Sequence, residues 1–143
     1  MRKTTVSVSV IIPVHNQEIY ISRCLRSILD QSLAREEYEV IVIDDGSKDK
    51  TGRILQTFKN HIKIISNKKN KGLSFSLYRG IENSKGRFIV RLDSDDYVNK
   101  EYLYILSLHL LLNDDIDAVS CDYLVVDEKD KVLKKNQFKE DPI

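Results

Sequence analysis

Residues 38–47 read Tyr-Glu-Val-Ile-Val-Ile-Asp-Asp-Gly-Ser, in which a run of β-branched apolar residues gives way at once to acidic and turn-forming ones. A strand that is apolar at every position is covered on both faces, as the central strands of parallel sheets are. Asp, Gly and Ser are typical of turns, so the strand is expected to end after Ile43. The stretch therefore predicts a buried strand whose carboxyl end carries Asp44 and Asp45.

Segments with the same strand character alternate along the chain with segments of helical periodicity. Ile21, Leu25 and Ile28, for example, recur at the spacing of one helix face. Such alternation requires crossover connections, which place the strands parallel to one another. The predicted fold class is therefore α/β, a three-layer sandwich with a mainly parallel sheet. The other predicted strands are 6–14, 62–65, 88–92 and 118–126, and the other predicted helices are centred on 54–58, 73–81 and 103–110.

Residue types at the helix ends predict two caps, and the spacing of apolar residues predicts the face of the third helix. Asp49 precedes the second helix and suits an N-cap. Leu73, Leu77 and Ile81 are expected to form the buried face of the third helix. That helix is expected to close at Gly86, because glycine suits a C-cap.

Composition limits the classes of ligand. The chain has 143 residues, of which 41% are hydrophobic, so one domain with a globular core is expected. Its 23 Lys and Arg residues nearly balance its 22 Asp and Glu residues, and the formal net charge is +1. Nucleic acid is therefore not expected as a partner. A polyanionic ligand would have to be held locally, by a metal ion or by backbone amides.

No membrane span or secretory signal is predicted, because no apolar stretch approaches the roughly 20 residues that a span requires. Cys24 and Cys121 lie far apart and without metal-ligand spacing. Buried free thiols are expected for both, rather than a disulfide. These features predict a cytoplasmic location, which for a full-length protein includes the inner face of the membrane.

Three predicted strands end in chemically distinctive turns, at Pro13–Asn16, Asp44–Ser47 and Asp93–Asp96. Ligands of parallel sheets bind beyond the carboxyl ends of the strands, so the three turns are expected to share one site. Clustered carboxylates repel one another and need a cation, and Mg²⁺ or Mn²⁺ takes oxygen ligands. A lone Asp-Asp-Gly-Ser is most often an ordinary turn. The recurrence of such residues after several strands of one sheet favours a site for a metal ion and a diphosphate.

Four stretches of the sequence closely resemble the family two glycosyltransferases of GT-A fold. The similarity extends from about Val6 to Tyr123, and the motifs occur in the family's order and spacing. It implies a GT-A type, Rossmann-like sandwich that forms the nucleotide-sugar-binding region of a transferase, with a UDP-sugar as the donor. The stretches are 8–16, 38–51, 70–74 and 87–96.

The resemblance implies a nucleoside pocket formed by Asp45 and by the backbone of the turn after the first strand. Asp45 matches the aspartate that accepts a hydrogen bond from the imide N–H of uracil. The backbone of Pro13, Val14 and His15 would line the pocket, with the His15 ring near the base. An ordinary hydrogen-bonded loop histidine is the alternative for His15.

The resemblance also implies a diphosphate and metal site at the last turn. Asp93 and Ser94 belong to the Asp-x-Asp motif that binds the donor. Asp95 would contact the ribose or share the metal ion. The metal ligand is either Asp95 or Asp96, and Mn²⁺ or Mg²⁺ is the implied cofactor.

The third helix departs from the family pattern. The family often reads Gly-Leu-Ser-x-Ala-Arg-Asn there, but Leu77 and Tyr78 occupy the Arg and Asn positions. Arg79 lies two residues on, about 200° around a helix, so it is not expected simply to replace the missing guanidinium. Asn70 and Lys71 match the family's flexible loop near the uridine, with a solvated polar loop as the alternative.

The resemblance implies an inverting transfer of the sugar to an acceptor hydroxyl, on a glycan or a lipid-linked sugar, in cell-surface polysaccharide synthesis. Residues 1–126 are expected to form the donor-binding domain, and residues 127–143 a charged hairpin turn and an exposed or frayed tail. The general base is expected beyond Ile143, in an acceptor-binding half, so the catalytic residue is unknown.

Other functions fit parts of the sequence. A sugar-1-phosphate nucleotidyltransferase shares the α/β layout, but it needs a Gly-rich basic loop after the first strand, which residues 13–16 do not form. A phosphoaspartyl receiver or phosphatase uses an Asp pair and leaves residues 93–96 unexplained. A non-catalytic nucleotide-sugar-binding module would keep the fold without the reaction.

Overall fold

A computed structural model describes residues 7–137 of the chain. Val6 and the predicted frayed end at 138–143 lie outside the described residues. The strands are β1 (Val8–Val14), β2 (Tyr38–Asp44), β3 (Lys63–Ser66), β4 (Phe88–Arg91), β5 (Tyr123–Val126) and β6 (Val132–Asn136). The helices are α1 (Ile21–Leu29), α2 (Thr51–Thr57), α3 (Leu73–Glu82) and α4 (Tyr102–Leu112), with a short 3-10 turn at Arg35–Glu37.

The first four strands form one sheet in the order β3-β2-β1-β4, and every neighbouring pair is parallel. The strands β1 and β2 pair along their full lengths, from Val8 opposite Tyr38 to Val14 opposite Asp44. Both are central in the sheet, and their uninterrupted apolar runs are explained by burial on both faces. The predicted α/β class with a parallel sheet is confirmed.

Helices cover both faces of the sheet, because the strands direct alternate side chains to opposite sides. On one face Val10 of β1 shares a core with Leu25 of α1 and Leu55 of α2. On the other face Ile11 of β1 packs with Leu77 of α3. This arrangement is the predicted three-layer sandwich.

The face that α3 buries differs from the predicted one. Leu73 and Ile81 are 48% and 53% exposed, whereas Leu77 packs on the sheet as predicted. The buried residues of α3 are Ser76 and Gly80. A Cβ on Gly80 would come within 2.3 Å of an isoleucine methyl carbon of β1. Small residues let this helix approach the sheet closely, and a hydrophobicity pattern does not detect them.

Both predicted caps are displaced. The helix α2 begins at Thr51, one residue later than an Asp49 N-cap requires, although the Asp49 carboxylate accepts a hydrogen bond from the Thr51 N–H at 2.9 Å. The helix α3 ends at Glu82, so the predicted Gly86 C-cap is wrong. A Cβ on Gly86 would lie 2.5 Å from the backbone nitrogen of Ser9, so glycine serves there to let the chain pass β1.

The chain divides into two compact units, Met1–Tyr104 and Ile105–Ile143. In the second unit β5 and β6 form an antiparallel hairpin, and a hydrogen bond from Asp127 N to Lys131 O closes its turn. The turn of this hairpin lies within the predicted charged hairpin or tail, but the predicted strand 118–126 is wrong over its first half, where no ladder forms among the described residues. The predicted limit of the donor-binding domain stays a prediction.

Both cysteines are free, as predicted. Cys24 is buried, but Cys121 is exposed, so the predicted burial is wrong for Cys121. Burial, followed by the negative charges of residues 93–96, raises the pKa of the Cys24 thiol to about 12. Within residues 7–137, no helix combines the length and apolarity that crossing a membrane requires.

We expect an alkylating reagent at about pH 8 to modify Cys121 and to spare Cys24 in the folded protein, because the thiolate is the reactive form. Unfolding the chain in urea should make both thiols react. Mass spectrometry of the alkylated chain checks this result. Early modification of Cys24 would show that the side chain is not enclosed as described.

Candidate functional site

The three distinctive turns lie at one edge of the sheet. The strand β1 pairs in parallel with β2 on one side and with β4 on the other, so the carboxyl ends of all three point the same way. Pro13 and Val14 end the central strand β1, and the Val14 carbonyl accepts a hydrogen bond from Asp45 N at 2.8 Å. The turns at 44–47 and 93–96 therefore flank the end of β1.

Asp45 is almost enclosed, with 4% of the residue exposed. Its Oδ1 accepts hydrogen bonds from Asn67 Nδ2 at 2.6 Å and from the Lys71 N–H at 2.9 Å. Its Oδ2 accepts one from the Gly72 N–H at 2.8 Å. A carboxylate has about four acceptor positions. The donors among the described residues therefore leave one position on Oδ2 for a ligand N–H.

Two opposing effects act on the pKa of Asp45. Burial raises it, but the hydrogen bonds from Asn67, Lys71 and Gly72 outweigh burial and hold the pKa below its ordinary value. Asp45 is thus a charged acceptor at neutral pH.

A carboxyl group whose pKa is lower in the folded than in the unfolded chain stabilises the fold above its unfolded value of about 3.9. We expect the contribution of Asp45 to be complete at about pH 6 and to be lost as the pH falls below about 3.9, through the lowered folded-state pKa. Urea unfolding across this range should show a smaller acid-induced loss of stability in Asp45→Asn than in the parent chain. Equal losses in both proteins would argue against this role.

His15 joins the turn after β1 to the turn after β2. The Asp45 carbonyl oxygen only accepts, so His15 Nδ1 carries the proton and donates it at 2.8 Å. His15 Nε2 then accepts from Asn16 Nδ2 at 3.1 Å, and Asn16 Oδ1 accepts from the Lys48 N–H at 2.8 Å. The ring is fixed as a hydrogen-bonded loop histidine. Its contact with a base stays a prediction.

The loop after β3 is docked on the turn after β2. Gly46 has a φ of +71°, and a Cβ there would lie 2.7 Å from Lys69 C and 2.8 Å from Asn70 N. Lys71 gives its backbone N–H to the aspartate, and its Nζ lies 5.8 Å from the centroid of the Phe75 ring. Asn70 and Lys71 are both exposed, and Asn70 Oδ1 accepts a hydrogen bond from the Gly72 N–H at 2.9 Å. Their approach to a uridine stays a prediction.

Sequence reasoning did not identify Asn67 as part of this site. Its Nδ2 donates to Asp45, and its Oδ1 accepts from the guanidinium of Arg79, which also donates to the Ser66 carbonyl at 3.2 Å. Leu77, at the position of the family's arginine, packs on the sheet instead. No local pattern marks an asparagine after a strand as functional. The contact arises from the path of the loop between β3 and α3.

The turn after β4 separates its carboxylates into two kinds. Arg91 holds Asp93, since Nε donates to Oδ1 at 2.9 Å and Nη2 donates to Oδ2 at 3.0 Å. Ser94 is buried, whereas Asp95 and Asp96 are exposed. Asp93 is therefore ion-paired with an arginine of its own strand, whereas Asp95 and Asp96 are exposed to a ligand.

Asp95 and Asp96 offer what a hard divalent cation requires. Partial burial of its carboxyl group, and then the charges of Asp95 and Asp93, raise the pKa of Asp96, so a cation there would relieve a repulsion. Carboxylate oxygens suit Mg²⁺ and Mn²⁺. Among residues 7–137 no group of three or more His, Cys, Asp or Glu side chains is arranged to hold a metal ion. The residues fit a cation that takes most of its ligands from substrate and water.

Sequence comparison places the chain among known glycosyltransferases. The pattern of the family described as Glycosyl transferase family 2 matches residues 9–141. Glycosyltransferase GlyG of Streptococcus pneumoniae is 31% identical over 126 residues, which are 86% of this chain and 41% of GlyG. The poly(ribitol-phosphate) beta-N-acetylglucosaminyltransferase TarS of Staphylococcus aureus is 37% identical over 98 residues, which are 66% of this chain and 17% of TarS. The chain thus spans less than half the length of either relative.

Structural comparison gives the same assignment. A crystal structure of S. aureus TarS in complex with UDP-GlcNAc has a TM-score of 0.70 at 33% identity, covering 74% of this chain and 31% of the TarS chain. The mannosyltransferase PcManGT from Pyrobaculum calidifontis, in complex with GDP-Man and Mn²⁺, has a TM-score of 0.73 at 23% identity, covering 86% of this chain and 36% of its own. These neighbours confirm the predicted GT-A fold. With the family pattern matching nearly its whole length, the chain belongs to glycosyl transferase family 2.

Proposed function

We propose that the chain binds the nucleotide diphosphate of an activated sugar, with UDP as the nucleotide, and that the protein containing it transfers the sugar to an acceptor hydroxyl. One observation carries this proposal: the buried Asp45 and the exposed Asp95 and Asp96 lie in turns that follow strands whose carboxyl ends are at the same edge of a parallel sheet. The likeness to TarS, which was solved with UDP and with UDP-GlcNAc, supports it.

Asp45 is the residue proposed to select the base. Its remaining acceptor position on Oδ2 suits the imide N–H of uracil, whereas cytosine presents an unprotonated nitrogen that a carboxylate repels. The lowered pKa of Asp45 keeps it ionised at neutral pH. The backbone of Pro13, Val14 and His15 would form the wall of the nucleoside pocket.

Asp95 and Asp96 are proposed to hold Mn²⁺ or Mg²⁺, with Asp95 also able to reach the ribose. Such an ion, when bound, neutralises the charge that builds on the leaving diphosphate. Asp93, paired with Arg91, and the buried Ser94 keep the turn in shape. An acceptor hydroxyl attacking from the face opposite the diphosphate would invert the anomeric configuration, and a general base must take its proton.

The acceptor is proposed to be a glycan or a lipid-linked sugar in cell-surface polysaccharide synthesis. TarS has a polymer, poly(ribitol-phosphate), in its name, which supports a polymeric acceptor. The two free thiols suit the reducing cytoplasm, where we place the protein, at the inner face of the membrane.

Calorimetric titration of UDP and of CDP in the presence of Mn²⁺ tests the proposal. A hydrogen bond to a charged group contributes about 1.5–3 kcal/mol, so UDP should bind at least about tenfold more tightly than CDP. Equal affinities would contradict the role of Asp45. A nucleotidyltransferase would instead form a nucleotide-sugar from UTP and a sugar 1-phosphate, and a binding module would bind UDP without transfer by the full-length protein.

A further inference from the structure

Arg79 lies at the start of a hydrogen-bond chain that ends on the Asp45 carboxylate. Its Nη1 donates to Asn67 Oδ1 and, at 3.2 Å, to the carbonyl oxygen of Ser66. Asn67 Nδ2 donates to Asp45 Oδ1 at 2.6 Å and lies 3.4 Å from the hydroxyl of Ser76, which is fully buried. A guanidinium thus acts on the carboxylate through one intervening amide.

The hydrogen bonds from Arg79 to Asn67 and from Asn67 to Asp45 fix the orientation of the Asn67 amide. An amide has an acceptor end and a donor end, so a rotated Asn67 would turn its NH₂ toward the Arg79 guanidinium and its oxygen toward the Asp45 carboxylate. Both contacts would then be repulsive. Arg79 therefore keeps Asn67 as a donor to Asp45, and a fixed dipole next to a carboxylate strengthens the bond in a partly buried site.

The position of Leu77 explains why the guanidinium comes from residue 79. Leu77 packs against the isoleucines of β1 and β2, where a charged side chain would be costly to bury. Arg79 lies two residues further along α3 and is half-buried, so its guanidinium reaches the loop after β3 and keeps its remaining donors in solvent.

We infer that Arg79 is a positioning residue for nucleobase recognition: acting through Asn67, it orients the Asp45 carboxylate and holds the loop 66–72 against it. This role rests on the proposed function, because only that function makes the ligand of Asp45 a nucleobase. Arg79 itself contacts no part of the proposed ligand. Its effect is expected on the geometry and proton affinity of Asp45.

The test measures the pKa of Asp45 by NMR of its side-chain carboxyl carbon, together with UDP affinity by calorimetry. Arg79→Met should raise that pKa and weaken UDP binding about threefold to tenfold, as expected for one lost charge-assisted hydrogen bond. Arg79→Lys should restore part of both effects, because an ammonium can still donate to Asn67 but not in the same fork. Arg53→Met is the matched control, since Arg53 is an exposed arginine of α2.

A double substitution tests whether Arg79 acts on Asp45 through Asn67. In Asn67→Leu the carboxylate loses its amide donor, so adding Arg79→Met should change the Asp45 pKa no further. An Asp45 pKa that Arg79→Met leaves unchanged, or additive effects of the two substitutions, would overturn the inference. If the parent chain fails to bind UDP, the proposed function is wrong. The change in the Asp45 pKa on Arg79→Met then still decides whether Arg79 acts on Asp45 through Asn67.

Discussion

Asp45→Ala is expected to weaken UDP binding about 100-fold and to lower the free energy of unfolding by about 3 kcal/mol. Three donors, Asn67 Nδ2, Lys71 N and Gly72 N, lose their shared acceptor in this variant. Water reaches the exposed loop and satisfies part of them, which limits the cost in stability. The nucleotide loses both its hydrogen bond to Asp45 and the ordered loop beside it.

Calorimetry and urea unfolding measure these two effects separately. Asp115→Ala is a suitable control, because Asp115 is an exposed aspartate to which the proposal gives no role. It should leave UDP affinity unchanged and alter stability by less than about 0.5 kcal/mol. If Asp45→Ala binds UDP as tightly as the control, Asp45 has no part in holding the nucleotide.

Gly46→Ala is expected to lower the free energy of unfolding by about 3 kcal/mol and the melting temperature by about 10 °C. The φ of +71° is unfavourable for a residue with a Cβ, and that Cβ would lie 2.7 Å from the backbone carbon of Lys69. A backbone neighbour cannot rotate away as a side chain does, so the loop after β3 must move. UDP affinity should fall as well, because the same loop carries the donors to Asp45.

The chain offers a matched glycine for comparison. Gly52 lies in α2, and a Cβ there would meet only a carboxylate oxygen at 3.8 Å, an ordinary contact. Gly52→Ala should therefore stabilise the protein by about 0.5–1 kcal/mol through helix propensity. Thermal unfolding followed by circular dichroism compares the two variants. A Gly46→Ala protein as stable as Gly52→Ala would show that the loop is not docked as described.

The central strands were predictable because burial on both faces leaves an unmistakable run of apolar residues, as Val40–Ile43 shows. The buried face of α3 was not, because Ser76 and Gly80 are selected for close approach to the sheet rather than for hydrophobicity. A prediction from the periodicity of apolar residues assigns Leu73 and Ile81 to the buried face, but both are exposed.

The common edge at which the acidic turns lie was predictable, but the hydrogen bonds of their side chains were not. Aspartates that follow buried parallel strands must lie at one edge of the sheet, so the placement of Asp45 and of residues 93–96 followed from chain order. The partners of Asp45 lie 22 to 27 residues away along the chain, in the loop after β3. Only the tertiary path of that loop brings Asn67 to the carboxylate and within reach of Arg79. The pairing of Asp93 with Arg91 depends likewise on side-chain geometry.

The different environments of Asp45 and of the Asp95–Asp96 pair suit different parts of the proposed ligand. Asp45 is enclosed, hydrogen-bonded and kept ionised, which suits recognition of a neutral donor group on a base. Asp95 and Asp96 are exposed and repel each other, which suits a cation that arrives with a diphosphate. The turn of β1, braced by His15, lies between the two.

The central claim is that one nucleotide diphosphate and one cation bridge the turns after β2 and β4. Paramagnetic broadening by substoichiometric Mn²⁺, in NMR spectra of the ¹⁵N-labelled chain with and without UDP, tests it most directly. With UDP present, the amide signals of residues 14–16, 45–47 and 93–96 should broaden together, and Asp95→Asn with Asp96→Asn should abolish the effect. Broadening that ignores UDP, or that is confined to one turn, would contradict the account.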